Sequence, residues 1–189
     1  MKFDPLVKSE SNKLFRLSDG AQINLSNLKT VSLKDAVSEK AEIPSDKNTV
    51  TAVNVSWNEI EISDGNYNEE VLASLREYLK KLEENQCFAF IAPSAGKSFN
   101  DADQADSFIK AMVHCARRIK DAQSVIGFAL APELLEKDKN SSLDENSWSQ
   151  WFVNEMNVKH GHYVYFASNA EIQKNELSAV ISKTNYILY

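Results

Sequence analysis

The run VIGFALAPELL (residues 125–135) carries Glu133 just beyond an apolar stretch and a proline. A carboxylate at the C-terminal tip of a buried strand suits general acid–base work, because a fixed position lets it give or take a proton at one point in space. Trp57 closes a second such stretch, TVTAVNVSW (49–57), and its ring is either a stacking platform for a ligand or a core or rim residue. SAGKS (94–98) has the tail of a phosphate-binding loop. Ile91 stands where the full pattern needs glycine, and no helix starts clearly at Lys97, so nucleotide binding is not expected. His160 and His162 flank Gly161, a pairing that can ligate a metal. No acidic or Cys ligand follows at a useful spacing, and no metal is assigned. His114, mid-helix beside Cys115, reads as a packed or surface residue. Cys87 sits in an apolar run and Cys115 in a helical one, which predicts two buried thiols rather than a disulfide. No cofactor is implied.

These residues have to be positioned by a repeating strand–helix pattern. AQINLSN (21–27) alternates as a strand does. SLKDAVSEKA (32–41) follows as a helix, with Ser32 and Asp35 at capping-box spacing. The strand at 49–57 is rich in β-branched residues. The clearest helix is 68–85, where Val71, Leu72, Leu75, Tyr78, Leu79 and Leu82 make one apolar stripe. CFAFIA (87–92) is a buried strand, 103–120 a helix burying Phe108, Ile109, Met112, Ala116 and Ile119, and SVIGFALA (124–131) another buried strand. A helix at 146–158 carries Trp148, Trp151, Phe152 and Met156 on one face. Strand 162–168, a weaker helix at 170–182 and strand 185–189 complete the chain. About six strands alternating with five helices, the strands apolar on both faces, predict a parallel sheet covered by helices in a single α/β domain over 1–189. A doubly wound sheet and a (β/α) barrel both satisfy this pattern. The polar stretch 133–146 and the loop 93–103 follow strands and read as lids or as solvated segments.

Composition excludes several partners. The 189 residues are 43% hydrophobic and 25% charged with a net charge of −6, an ordinary globular balance with a real core. Charges are interleaved and no basic stripe appears, so nucleic acid is not an expected partner. MKFDPLVKSESNKLF lacks a signal-peptide core, and no apolar run approaches the ~18 residues that span a bilayer. The expectation is a soluble, cytoplasmic chain without membrane contact, although removal of a leader would leave the same sequence.

Three stretches carry a family resemblance: LFRLSDGAQINLSN, VNVSWNEIEISDGNYNEEVLASL and FIKAMVHCARRIKDAQSVIGFALAPEL. Together they resemble the cellulase-type glycoside hydrolases of family 5, which are (β/α)8 barrels, over roughly residues 14–169. The first is similar to the family's opening turn and first strand. The second is similar to its second unit, and the third to its third helix and fourth strand. The resemblance favours the barrel over the doubly wound sheet. It implies that Glu133 occupies the general acid/base position. It also places Pro132 where the family has Asn, Leu134 where it has Pro, Ala52 where it has an arginine and about Ser94 where it has a histidine. The nucleophilic glutamate belongs to a seventh strand, and this sequence reads as ending with its sixth.

Retaining glycosidases need two carboxyl groups about 5–5.5 Å apart, and a lone glutamate cannot run the double displacement. A full barrel also takes about 250 residues. The expectation is an incomplete barrel with degenerate catalytic motifs, acting as a carbohydrate-binding or protein-interaction module. Its ligand would sit near Trp57, Ser94, Glu133 and Asn169 on the C-terminal strand face. An incomplete barrel exposes two sheet edges, which the N-terminal segment, a partner chain or a second copy must cover, so a homo-oligomer or a partnered chain is expected. Two other readings stand beside this one: an active glycosidase using Glu133 with a second carboxylate from another chain, and a structural subunit of a larger assembly.

Overall fold

The computed structural model describes residues 4–38, 40–139, 147–181 and 184–189. The chain opens with a hairpin, β1 (Val7–Glu10) and β2 (Lys13–Arg16), turned by Ser11 and Asn12 at φ 50° and 60°. Two successive positive φ values give the turn whose twist matches that of the strands it joins. β3 (Gln22–Ile23) pairs antiparallel with β2 to make a three-stranded sheet. The strand expected at 21–27 is therefore not the first strand of the parallel sheet. That place belongs to β4 (Lys29–Ser32), which leads directly into α1 (Leu33–Val37), shorter than the helix expected at 32–41.

The remaining elements follow in order: β5 (Val50–Ser56), α2 (Trp57–Ile60), the hairpin β6 (Glu61–Ser63) and β7 (Asn66–Tyr67), α3 (Glu69–Glu84), β8 (Phe88–Ser94), α4 (Ala102–Ile119) and β9 (Val125–Ala129). Then come α5 (Pro132–Lys137), α6 (Trp148–His160), β10 (Val164–Ala167), α7 (Asn169–Lys174), α8 (Ser178–Ile181) and β11 (Ile187–Leu188). Side-chain caps set the helix starts. Asn68 accepts from the Val71 amide ahead of α3, Asp101 from Gln104 ahead of α4, and Ser147 from Gln150 ahead of α6. The single helix expected at 170–182 is two, because Asn175 ends α7 and Glu176 takes φ 61°, a conformation that no helix interior contains. Of the polar stretch 133–146, the first residues lie in α5, while 140–146 fall outside the described residues.

Six strands form one parallel sheet in the order β11-β10-β9-β8-β5-β4. Strand order follows chain order without reversal. A doubly wound sheet would reverse at a switch point, so the path is that of a partial (β/α) barrel. Alternation along the strands sorts two apolar layers. Val53, Val55 and Ile91 face outward onto Leu72, Leu75, Leu79, Phe108, Met112 and Phe152 of the helices. Val50, Ala52, Phe90, Ile126, Val164, Phe166 and Ile187 face inward and meet Val7, Leu14 and Ile23 of the three-stranded sheet. The N-terminal segment thus covers one end of the inner face. β9 approaches β10 so closely that a Cβ on Gly127 would stand 1.9 Å from the Val164 carbonyl oxygen, which makes glycine obligatory there.

Candidate functional site

Glu133 lies not at the tip of β9 but in the first turn of α5, which Pro132 opens in the position where proline's missing N–H costs nothing. Its side chain is 7% exposed. Oε1 accepts from the Ser94 hydroxyl at 2.7 Å and from the Gly96 amide at 2.9 Å. Gly96 has φ 78°, and its amide also meets Ser94 Oγ at 3.0 Å, so the three groups close a tight turn after β8. Ser98 adds a second tie by donating its hydroxyl to the Glu136 carboxylate. Oε2 of Glu133 is buried without a partner among the described residues. The arrangement is a brace between the β8 turn and α5, with one carboxylate oxygen satisfied and the other withheld from water.

Ser56 pairs with Ser94 in the β5–β8 register, and Trp57 follows immediately as the first residue of α2. Ser56 and Glu59 form a reciprocal capping box that turns the chain out of the strand. Trp57 is half-buried, with its ring edge-on to Phe108 at 5.9 Å and 78°. Its Nε1–H donates to the Glu61 carboxylate, whose other oxygen accepts from the Gly65 amide at 2.7 Å. Trp57 walls a groove of about 800 Å3 that also takes in Glu61, Asp64, Ala95–Lys97 and the start of α4 at Asp103. Two of the sequence-predicted residues, Ser94 and Glu133, touch. Trp57 is one step removed, sharing the groove with the turn that they hold. Asn169 is exposed in the first turn of α7, where its amide donates to the Tyr189 carbonyl at 2.9 Å, and no described contact joins it to the other three. Glu61, Asp64 and Asp103 are additions that sequence reasoning did not single out, while Gly96 and Lys97 of SAGKS line the groove rather than a phosphate site. The Asp64-Gly65 pair before Asn66 and Tyr67 was the available hairpin signal.

The secondary candidates take structural places. Ala52 is buried in the inner layer. The Gly96 amide of SAGKS is already given to Glu133, and α4 starts only at Ala102, so the segment forms no phosphate cradle. His160 is 2% exposed at the end of α6, and burial pulls its pKa down to about 4. His162, also lowered by burial, lies against Tyr163 at 4.1 Å. Among the described residues no three His, Cys, Asp or Glu side chains gather as metal ligands. His114 is a clasp between α3 and α4: it stacks on Tyr67 at 3.8 Å and bonds Glu69 at 2.9 Å, while burial lowers its pKa. Cys87 and Cys115 are free and buried, and burial pushes Cys115 up to about 12. Trp148 and Trp151 pack against the outer layer, with Trp148 parallel to Phe99 at 6.3 Å. No helix among the described residues is long and apolar enough to cross a membrane.

No family model matches the sequence, and no curated protein does either. Solved structures do match the fold. An endogalactoceramidase superposes with a TM-score of 0.62 at 11% identity, over 87% of this chain and 53% of that one. Endo-glycoceramidase II from Rhodococcus sp., in a complex with a cellobiose-like isofagomine, gives 0.59 at 9% identity, over 86% and 51%. The same enzyme with a cellobiose-like imidazole gives 0.57 at 10%, over 88% and 51%. The chain spans about half the length of these enzymes. Identity this low speaks to fold alone, and the fold is a partial (β/α) barrel like that of these enzymes.

Proposed function

We propose that the chain is a catalytically degenerate glycosidase-like protein that binds carbohydrate at the C-terminal rim of its sheet without cleaving it. One observation carries this reading. The carboxylate at the acid/base position, Glu133, is 7% exposed, and its Oε1 is committed to Ser94 and Gly96. A general acid has to reach a glycosidic oxygen through hydrogen-bond contact, and this one is turned into the fold. Trp57, beside the turn that Glu133 holds, supplies the stacking surface. Ser94 and Asn169 complete the rim.

The active-glycosidase reading has one observation in its favour, the unpartnered Oε2 of Glu133. Thermal shift with a panel of oligosaccharides, run beside hydrolysis of chromogenic β-glycosides, separates the two. Stabilisation without turnover supports binding, whereas turnover lost in Glu133→Gln supports catalysis. A tight oligomer showing neither effect supports the structural-subunit reading. Self-association across the open edges β4 and β11 belongs to the same proposal, and a monomeric mass by light scattering at micromolar concentration contradicts that part.

A further inference from the structure

We infer that the Trp57 groove is a seat for a protonated amino sugar, an inference that rests on the carbohydrate-binding reading and adds the ligand's charge to it. The groove's volume of about 800 Å3 lies in the range of sites that hold small ligands. Its walls come from three stretches that the fold brings together: α2 with the β6–β7 hairpin, the turn after β8, and the first turn of α4. Three carboxylates line it, from Glu61, Asp64 and Asp103, against one cation, Lys97. The Asp64 and Asp103 side chains are exposed and take no hydrogen-bond or ion-pair partner among the described residues.

The aromatic element is fixed before any ligand arrives. Glu61 holds the indole N–H, Gly65 holds Glu61, and Phe108 meets the ring edge-on. A positioned indole attracts a cation through its ring quadrupole, and unpaired carboxylates nearby add Coulomb attraction for an ammonium. The helix start offers little to an anion, since the Gln104 amide is already given to the Asp101 carboxylate at 2.9 Å. A neutral sugar would gain the stacking alone, and an acidic sugar would meet like charge. A ring bearing an ammonium gains both.

The test is calorimetric titration of the whole chain with glucosamine oligomers, their N-acetylated counterparts and cello-oligosaccharides at low salt. The glucosamine oligomer is expected to bind about tenfold more tightly than either neutral series, with the margin shrinking as salt screens the charges. The exposed double variant Asp64→Asn, Asp103→Asn removes that margin, bringing the glucosamine oligomer down to the affinity of the neutral series. Trp57→Ala weakens all three series. Equal or reversed preference, with the neutral oligomers still bound, overturns the amino-sugar inference and leaves the carbohydrate reading standing. Absence of binding by every oligosaccharide overturns both.

Discussion

The two ends of the six-stranded sheet are built by different physics. At the ends where the strands begin, Val7, Leu14 and Ile23 of the N-terminal sheet close onto Val50, Phe90 and Val164, and little is left to water. At the ends where the strands finish, Asn54 is exposed, Ser56 and Ser94 are half-buried, and the fold is tied by the directional bonds of Glu133. Apolar contact is non-directional and scales with area, so the sealed end carries stability. A hydrogen-bonded brace fails as a unit when one partner is lost, so the open end depends on a few bonds for its shape.

The largest effect expected of this division is at Phe90, which is fully buried and stacks on Phe166 at 4.1 Å. Phe90→Ala should cost about 3–5 kcal/mol in chemical denaturation. A loss under about 1 kcal/mol would show that the inner layer does not hold the sheet.

Acid should act next, through His160. Its pKa of about 4 in the folded chain lies below the ordinary 6.5, so as pH falls through this window the unfolded chain binds the proton first. The neutral, buried histidine therefore contributes its full stability above pH 6.5, and that contribution, about 2–3 kcal/mol, is lost by pH 4. His162 acts in the same sense. The carboxylates Glu69 and Asp121, held down by their hydrogen bonds to Arg118 and Arg76, act in the same direction but at lower pH. Unfolding curves of His160→Leu against the parent chain isolate the one group. The variant should lose part of the slope between pH 6.5 and 4, and an unchanged slope would exclude His160 as its source.

A smaller loss is expected at the open end. Glu133→Leu takes from the Ser94 hydroxyl and the Gly96 amide the acceptor they share and should cost about 1–3 kcal/mol, and the carbohydrate binding proposed above should weaken as the turn relaxes. The smallest effect is expected at a solvent-exposed ion pair that is part of neither the inner layer nor the Glu133 brace. Arg76 and Asp121 join α3 to the segment after α4 at 2.5 Å, both side chains being more than a third exposed. Arg76→Ala should lower stability only slightly, and raising the salt concentration should shrink that difference further.

How far the sequence showed this architecture depended on burial. The strands at 49–57, 87–92 and 124–131 are apolar on both faces and announced themselves. β4 did not, because Lys29 and Thr30 are exposed at a sheet edge and leave no apolar run, and AQINLSN offered a cleaner alternation next to it. The hairpin of β1 and β2 was hidden for a related reason: its turn uses Ser11 and Asn12 in a conformation usually supplied by glycine. For the site, the position of Glu133 was readable from the strand before it. Its bonds to Ser94 and Gly96 cross between two strand–helix units, and no local pattern encodes a contact at that separation. The groove needed α2 and the β6–β7 hairpin to be placed against α4, which only the packed outer layer determines.

Turnover of aryl β-glycosides by the intact chain and by Glu133→Gln, with melting temperature followed on the same samples, tests most directly whether Glu133 is a brace or an acid. The account predicts no hydrolysis above the buffer rate in either protein and a lower melting temperature in the variant. Hydrolysis by the parent chain that disappears in Glu133→Gln while the melting temperature holds would contradict it.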